Sequence, residues 1–297
     1  MDQVPGTPDQ QPAASGLPSC YRHPGKETGI RCNRCDRPIC PECMVSASVG
    51  FQCPSCVRGG SGTGHAPTAN RPRNIAGGVV AADPHLVTNV LIGLNVAVFV
   101  AVLALGDRLV AELQLIGLAY DPSVGGVVGV ADGQWYRLFT SMFLHQEFFH
   151  IGFNMLGLWW FGRPVEAALG RVRYLGMYLL SGLAGSAFVY LVTAPNAPVL
   201  GASGAVFGVL GANAVLLKRN NYDMRSFIGY VVISMIFSFR GGISWQAHLG
   251  GFVAGVLITI GLVYAPRERR ALVQYGTCAL VLAVTVAMVL MRTAALT

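Results

Sequence analysis

A glycine-rich turn at the start of a long apolar stretch reads Gly201-Ala202-Ser203-Gly204-Ala205-Val206-Phe207-Gly208. Two further apolar stretches begin with polar side chains, in Ala247-His248-Leu249-Gly250-Gly251 and His150-Ile151-Gly152-Phe153-Asn154. Ionisable and polar side chains inside membrane-spanning segments are energetically costly and usually functional. The three stretches therefore predict a helical membrane protein in which a serine, two histidines and an asparagine have a chemical role.

The composition indicates a polytopic membrane protein. Of the 297 residues, 53% are hydrophobic and 12% are charged, and the formal net charge is +7. Soluble enzymes carry more charge. Because the Lys and Arg residues lie mostly in short loops beside apolar runs, they follow the positive-inside rule, and we expect no nucleic-acid partner. The excess of Arg over Lys and the abundance of Ala, Gly and Val are typical of a bacterial protein from a GC-rich genome.

The composition predicts four segments along the chain. Residues 1–17, rich in Pro, Gln and Ser, are predicted to be disordered. Residues 18–58 hold seven of the eight cysteines, and residues 59–84 have the composition of a flexible linker. Residues 85–292 are predicted to form a membrane domain of seven helices, each near the roughly 20 residues that a bilayer requires. The predicted spans are 86–106, 148–168, 171–193, 202–218, 226–240, 245–264 and 271–291.

Basic residues predict the orientation of these helices. No long apolar segment precedes Leu86, so the N-terminal region is expected to stay on the side where it is made. The loops on that side carry Arg71, Arg73, Arg163, Arg171, Arg173, Lys218, Arg219, Arg225, Arg267, Arg269 and Arg270. The opposite loops carry Arg108, Arg137 and Arg240, with Arg292 at the tail. This asymmetry predicts a multi-pass protein of the plasma membrane with a cytoplasmic N-terminus and an external C-terminus.

This orientation places the polar residues of the three stretches at one depth. His150 and Asn154 begin the second span, Ser203 the fourth and His248 the sixth, all on the outer side. A serine hydroxyl is a poor nucleophile unless a base removes its proton, and His248 is the candidate base. Small residues on the fourth and sixth spans allow the close helix contact that would bring the two side chains together.

The developing oxyanion of an acyl transfer needs hydrogen-bond donors. His150 and Asn154, four residues apart on one helical face, are candidates together with the Ser203 N–H. Glu166 and Glu268 lie at the cytoplasmic ends, so a Ser-His dyad without an acidic member is predicted. The alternatives are close helix packing for the glycine-rich turn, a carbonyl-bound buried imidazole for His248, and interhelical hydrogen bonding for Asn154.

These motifs resemble the rhomboid family of intramembrane serine proteases over roughly residues 86–291. Its Gly-x-Ser-Gly motif is matched by Gly201 to Gly204, and its histidine with a Gly-xxx-Gly pattern by His248, Gly251 and Gly255. Its second-helix His-xxx-Asn is matched by His150 and Asn154, with His145 upstream. Phe207 stands where the family has an aromatic residue that stacks on the catalytic histidine. A Trp-Arg dipeptide of the family reads Trp135-Tyr136-Arg137 here, with the tryptophan displaced by one position.

The resemblance implies an all-α membrane fold, with a six-helix core and the seventh helix as a C-terminal addition. It also implies that transmembrane proteins are the substrates and that single-span proteins are cut near the outer membrane face, where a helix can unwind. A rhomboid-like pseudoprotease that binds and escorts membrane helices without cleavage is the alternative function. A small transporter would need acidic residues or broken helices at the membrane midplane, which the sequence lacks.

The cysteine-rich segment carries four two-ligand motifs, Cys20-x-x-His23, Cys32-x-x-Cys35, Cys40-x-x-Cys43 and Cys53-x-x-Cys56. Eight ligands are enough for two structural, tetrahedral Zn²⁺ sites. Disulfides need an oxidising compartment, whereas the charge pattern places this segment in the cytoplasm. Cys278, within the last span, is expected to be a packed hydrophobic residue.

The spacing of these motifs is similar to that of B-box-type zinc fingers. That resemblance implies that alternate motifs share a metal, so that the first motif pairs with the third and the second with the fourth. A cytoplasmic protein partner of this small zinc-binding domain is expected, and a folded cap without a specific ligand is the alternative. Neither metal site is expected to take part in catalysis.

Overall fold

The computed structural model describes residues 16–47, 49–58, 73–78, 80, 83–239 and 243–297. The chain divides into two compact units, with the boundary between Pro72 and Arg73. Several positions named in the sequence predictions fall outside the described residues. They are 1–15 of the predicted disordered segment, 48 of the cysteine-rich segment, 59–72, 79 and 81–82 of the predicted linker, 240 of the fifth predicted span, and Arg71 and Arg240 of the charge pattern.

The N-terminal unit consists of two short antiparallel ribbons and a single helical turn. Strands β1 (Ser19–Cys20) and β2 (His23–Glu27) form the first ribbon. Strands β3 (Val45–Ser46) and β4 (Phe51–Gln52) form the second, after a 3₁₀ turn at Pro41–Cys43, and helix α1 spans Pro54–Arg58. The core of this unit is made of Ile39 and six buried cysteines, so it contains little apolar surface beyond its thiols.

The second unit is mainly helical, which confirms the predicted all-α fold class. Its helices are α2 (Leu86–Leu105), α3 (Asp107–Leu113), α4 (Arg137–Thr140), α5 (Phe148–Gly157), α6 (Arg163–Leu169), α7 (Arg171–Val192), α8 (Ser203–Arg219), α9 (Arg225–Ser238), α10 (Trp245–Val263) and α11 (Arg270–Leu296). Short 3₁₀ turns span Val130–Asp132, Ser141–Phe143 and Arg267–Arg269. Strands β5 (Ala119–Asp121) and β6 (Gly126–Val128) form a hairpin within the loop between α3 and α4.

Four helices of the described residues are long and apolar enough to cross a membrane: Leu86–Leu105, Arg171–Val192, Trp245–Val263 and Arg267–Leu296. The other three predicted spans correspond to shorter or interrupted helices. A π-helical turn at Leu158–Gly162 joins α5 to α6, α8 has 17 residues, and α9 has 14. Helix α8 is also largely buried among its neighbours.

Backbone contact between α8 and α10 forms the centre of this unit. A Cβ atom on Gly251 or Gly255 would overlap the carbonyl oxygen of Gly204 or Gly208, so these two α10 glycines lie directly against α8. The adjacent Gly250 instead faces α7, where a Cβ would lie 3.1 Å from the carbonyl oxygen of Ala184. Small residues on both helices therefore allow the approach that positions their N-terminal ends.

Buried hydrogen bonds hold the start of α2 and the end of the predicted linker, on the side of this unit opposite the N-terminal ends of α8 and α10. The Glu166 carboxylate, 1% exposed, accepts hydrogen bonds from the Val87 and Thr88 backbone N–H groups at 2.9 and 2.8 Å. It thereby caps the free N–H groups at the start of α2. The end of the predicted linker also packs here, since the carbonyl of buried Ala76 accepts a hydrogen bond from Gln274 Nε2 at 3.0 Å.

Candidate functional site

Ser203 is the first residue of α8, directly after a turn that only glycine fits easily. Gly201 has φ = +127°, and a Cβ there would lie 2.7 Å from Nε2 of His150. The same position is 3.9 Å from Ser203 Oγ. The His150 ring and the Ser203 hydroxyl therefore border one small space above Gly201, at the N-terminal end of α8 where negative charge is favoured.

Two contacts hold the His248 imidazole, a ring stack on its face and a hydrogen bond at one ring nitrogen. Its ring stacks on Phe207, with centroids 4.0 Å apart and planes inclined by 10°, which confirms the stacking that the resemblance implied. Its Nδ1 atom is hydrogen-bonded to Ser238 Oγ at 2.5 Å. Its Nε2 atom is buried and has no hydrogen-bond partner among the described residues, so this nitrogen remains free to act as a base.

His145 and Asn154 form a second polar group beside the first. The Asn154 side-chain nitrogen lies 3.1 Å from His145 Nε2 and donates to the His150 carbonyl, also at 3.1 Å. The rings of His145 and His150 meet edge to face, with centroids 4.9 Å apart. Because both amide hydrogens of Asn154 are thus engaged, the side chain must release one contact before it donates to a third group.

The structure places Ser203, His150 and His248 near the N-terminal ends of three helices, and Asn154 one turn further along the helix that carries His150. His150 and Asn154 lie on α5, Ser203 on α8 and His248 on α10. The described residues show no carboxylate hydrogen-bonded to His248. Ser238 is not among the residues predicted from the sequence, where its only signal is a hydroxyl within an apolar helix, a place where an unpaired polar group is costly.

The eight cysteine and histidine ligands of the N-terminal unit form two groups. One contains Cys20, His23, Cys40 and Cys43, and the other contains Cys32, Cys35, Cys53 and Cys56, with the ligand atoms of each group within 4.8 Å of one another. This is the alternating arrangement that the B-box resemblance implies.

Distances within both groups fit a tetrahedral metal. Ligand atoms around Zn²⁺, bound at about 2.3 Å for sulfur, lie roughly 3.8 Å apart. The Cys35 and Cys53 sulfurs are 3.7 Å apart, and His23 Nδ1 lies 3.2 Å from the Cys40 sulfur and 3.5 Å from the Cys43 sulfur. The three thiolates and one imidazole of the first group, and the four thiolates of the second, are donor sets that suit zinc.

Backbone N–H groups support the thiolate form of some of these ligands. Burial raises the pKa of the Cys32 thiol, but backbone hydrogen bonds, first from Cys35 and then from Cys53, outweigh it and lower this pKa to about 6. Burial and the neighbouring thiols raise the pKa of Cys56 to about 12. Burial raises the pKa of Cys53 too, but backbone hydrogen bonding again lowers this pKa, and a bound metal cation would favour the thiolate form of all four ligands.

Comparison with known proteins points to one family. The sequence profile of the rhomboid domain matches residues 132–265. The chain is 33% identical over 156 residues to the rhomboid-family protein YdcA of Bacillus subtilis, a match that covers 50% of this chain and 78% of that protein.

Two further relatives are named as rhomboid proteases. The chain is 36% identical over 139 residues to rhomboid protease GluP of Bacillus subtilis, covering 45% of this chain and 27% of GluP. It is 28% identical over 167 residues to rhomboid protease AarA of Providencia stuartii, covering 46% of this chain and 59% of AarA. The matched segments therefore span less than two thirds of GluP and of AarA.

Proposed function

Because the chain belongs to the rhomboid family, we propose that it is an intramembrane serine endopeptidase with Ser203 as nucleophile and His248 as general base. The observation that carries this proposal is the buried His248 imidazole, whose Nε2 lacks a hydrogen-bond partner among the described residues while Nδ1 is bound. An imidazole in this state accepts a proton at Nε2, which is the task of the base in a Ser-His dyad.

In the proposed reaction, Ser203 Oγ attacks the substrate carbonyl and its proton passes to His248 Nε2. The tetrahedral intermediate then collapses, and the same proton is delivered to the leaving amine. The N-terminal backbone of α8 and the His150 side chain border the space above Gly201 and would stabilise the oxyanion. Asn154 would contribute after it releases the His145 contact. A water molecule resolves the acyl-enzyme by the same steps.

The substrates that we propose are transmembrane proteins of the same bilayer, cut near its outer face. A peptide bond within a helix is shielded by its own hydrogen bonds, so a substrate with a single span and helix-breaking residues is favoured. The protein would lie in a bacterial plasma membrane with its N-terminus in the cytoplasm, as the positive-inside rule predicts.

We further propose that the N-terminal unit holds two structural Zn²⁺ ions, one per ligand group, and serves as a docking module for a cytoplasmic protein. Since the core of this unit is mostly thiol sulfur, metal binding would supply much of its folding free energy. A closed site with four protein ligands has no open position for catalysis.

A pseudoprotease that escorts membrane helices is the competing function. It would need neither an ionised nucleophile nor a free base nitrogen. The retained Ser203 and the free Nε2 of His248 favour the enzyme.

A cleavage assay with purified full-length protein and a single-span reporter tests the proposal. Ser203→Ala and His248→Ala should each abolish cleavage, and the double variant should be no slower than either, because the two residues act as one unit. The matched control is Ser226→Ala, which removes an exposed serine hydroxyl at the N-terminal end of α9. This variant should cleave the reporter at the wild-type rate. Substantial cleavage by Ser203→Ala would exclude the proposed mechanism, and helix binding without cleavage by the wild type would favour the escort function.

A further inference from the structure

Helix α9 has an unusual burial pattern. Of its residues from Arg225 to Ser238, only Ser238 is buried, at 1% exposed. The remaining side chains are half-buried or exposed, so the helix presents most of its surface away from the protein. Its one buried residue is a polar one, and it lies at the last position of the helix. A hydroxyl in such a place must be satisfied by hydrogen bonds.

Both hydrogen-bonding functions of Ser238 are used. Its Oγ donates to the Ser234 carbonyl at 2.8 Å and lies 2.5 Å from His248 Nδ1. A hydroxyl carries a single proton. The Ser234 carbonyl can only accept, and assigning the hydroxyl proton to it makes the Ser238 oxygen the acceptor from His248. In this assignment the imidazole carries its proton on Nδ1.

This assignment has a direct consequence for the other ring nitrogen. A neutral imidazole with its proton on Nδ1 has a lone pair on Nε2. The Phe207 ring, stacked on the imidazole, limits tilting of the ring plane. The stack does not prevent the imidazole from rotating within its own plane. The hydrogen bond between Nδ1 and Ser238 restrains that rotation.

We propose that Ser238 is the positioning residue for His248, holding the proton on Nδ1 and directing Nε2 toward the nucleophile. This inference rests on the proposed role of His248 as base. Ser238 takes the place of the acidic member of a catalytic triad as an orienting group, but it is a neutral acceptor, so it fixes the tautomer without adding a negative charge beside the imidazolium. It also connects the C-terminal end of α9 to the base on α10.

A purely structural role for Ser238 gives different expectations. In that case the contact would hold α9 against α10, and its loss would lower stability and substrate affinity. A positioning role instead predicts a lower kcat at unchanged KM, because the substrate still binds while fewer imidazoles have the reactive tautomer and orientation.

The kinetic test uses full-length Ser238→Ala, Ser238→Thr and Ser234→Ala in detergent with the single-span reporter. We expect Ser238→Ala to lower kcat at least about tenfold with KM and thermal stability near wild type. Ser238→Thr, which keeps the hydroxyl, should recover most of the rate. Ser234→Ala, which removes a hydroxyl one turn away and keeps the backbone carbonyl, should match wild type. A kcat within twofold of wild type in Ser238→Ala, or a loss that Ser238→Thr fails to recover, would overturn the proposal.

A second measurement does not depend on cleavage. In protein labelled with nitrogen-15 at its six histidines, the signals missing from His248→Ala identify the His248 ring. They should report a proton on Nδ1 in the wild type and a mixture of tautomers in Ser238→Ala. A proton on Nε2 in the wild type would refute the inference. An inactive wild type with the expected Nδ1 proton would refute the proposed protease activity and leave the Ser238 contact established.

Discussion

The imidazole of His248 lies nearly parallel to the ring of Phe207, with the two centroids 4.0 Å apart. The two residues belong to different helices, α10 and α8, and Phe207 follows Ser203 by one helical turn. The stack therefore links the orientation of the proposed base to the helix that carries the proposed nucleophile. It also depends on the close glycine-mediated contact between these helices.

Removal of the stacking ring should reduce turnover. Phe207→Ala is expected to lower kcat by about two- to tenfold, since an aromatic pair contributes roughly 0.5–1.5 kcal/mol beyond its buried area. Phe207→Tyr keeps the ring and is the matched control. Cleavage of the reporter under single-turnover conditions gives both rates. Equal rates for Phe207→Ala and wild type would mean that Ser238 alone orients the imidazole.

Helices α8 and α10 lie too close together at Gly251 to accommodate a methyl group. We therefore expect substitution of this glycine to disturb their packing. Gly251→Ala places a Cβ against the Gly204 carbonyl, so the helices must separate, at an expected cost of about 1–3 kcal/mol. Cleavage and the thermal unfolding temperature in detergent should both fall. Gly176→Ala on α7, where no atom lies within 4 Å of the new Cβ, is the control and should be neutral. A stable, active Gly251→Ala would show that the two helices tolerate a wider spacing.

Asn154→Ala should slow the reaction without abolishing it. One oxyanion donor contributes about 3 kcal/mol in comparable sites, and the backbone N–H groups at the start of α8 remain. Because Asn154 also contacts His145 at 3.1 Å, His145→Ala separates the two roles. A rate loss in Asn154→Ala that His145→Ala reproduces would indicate that Asn154 positions the neighbouring histidines. An unchanged rate in Asn154→Ala would leave only a packing role.

Metal analysis of the purified full-length protein should find about two zinc ions per chain. Cys32→Ser should retain about one, because it disrupts one group of four ligands and leaves the other complete. Cys278→Ser, outside both groups, should retain two. Elemental analysis by mass spectrometry measures all three proteins. A zinc content near zero, or disulfides among the N-terminal cysteines, would contradict both the metal assignment and the cytoplasmic placement.

Thiol labelling in intact cells tests the orientation. The N-terminal cysteines should resist a membrane-impermeant reagent, whereas a cysteine introduced by Asn196→Cys, in the exposed loop after α7, should react. Permeabilised cells are the control, in which unmetallated thiols on both sides become accessible. Protection of position 196 in intact cells would reverse the predicted topology, and with it the membrane face at which substrates are cut.

Local patterns in the sequence predicted much of this protein. Apolar runs of membrane length predicted the helices, and the start of α8 at Ser203 follows from the glycine-rich turn before it. In each Cys-x-x-Cys or Cys-x-x-His motif, only two residues separate the two ligands. The ligands therefore lie close together in a short turn, and this does not depend on the rest of the fold. These features depend on residues close together in the chain, so their physical causes are visible in the sequence.

Which helix surfaces meet depends on how the whole membrane unit packs. Gly250 and Gly251 are adjacent, yet they face α7 and α8, because successive residues on a helix point about 100° apart and the crossing of neighbouring helices selects which face is covered. Helix packing also determines the contact of the Ser238 hydroxyl with His248 on another helix. It likewise brings the Ala76 carbonyl to Gln274, which is distant in the sequence. Apolar composition predicts that such helices pack, but the rotation and approach of each helix depend on all its neighbours at once.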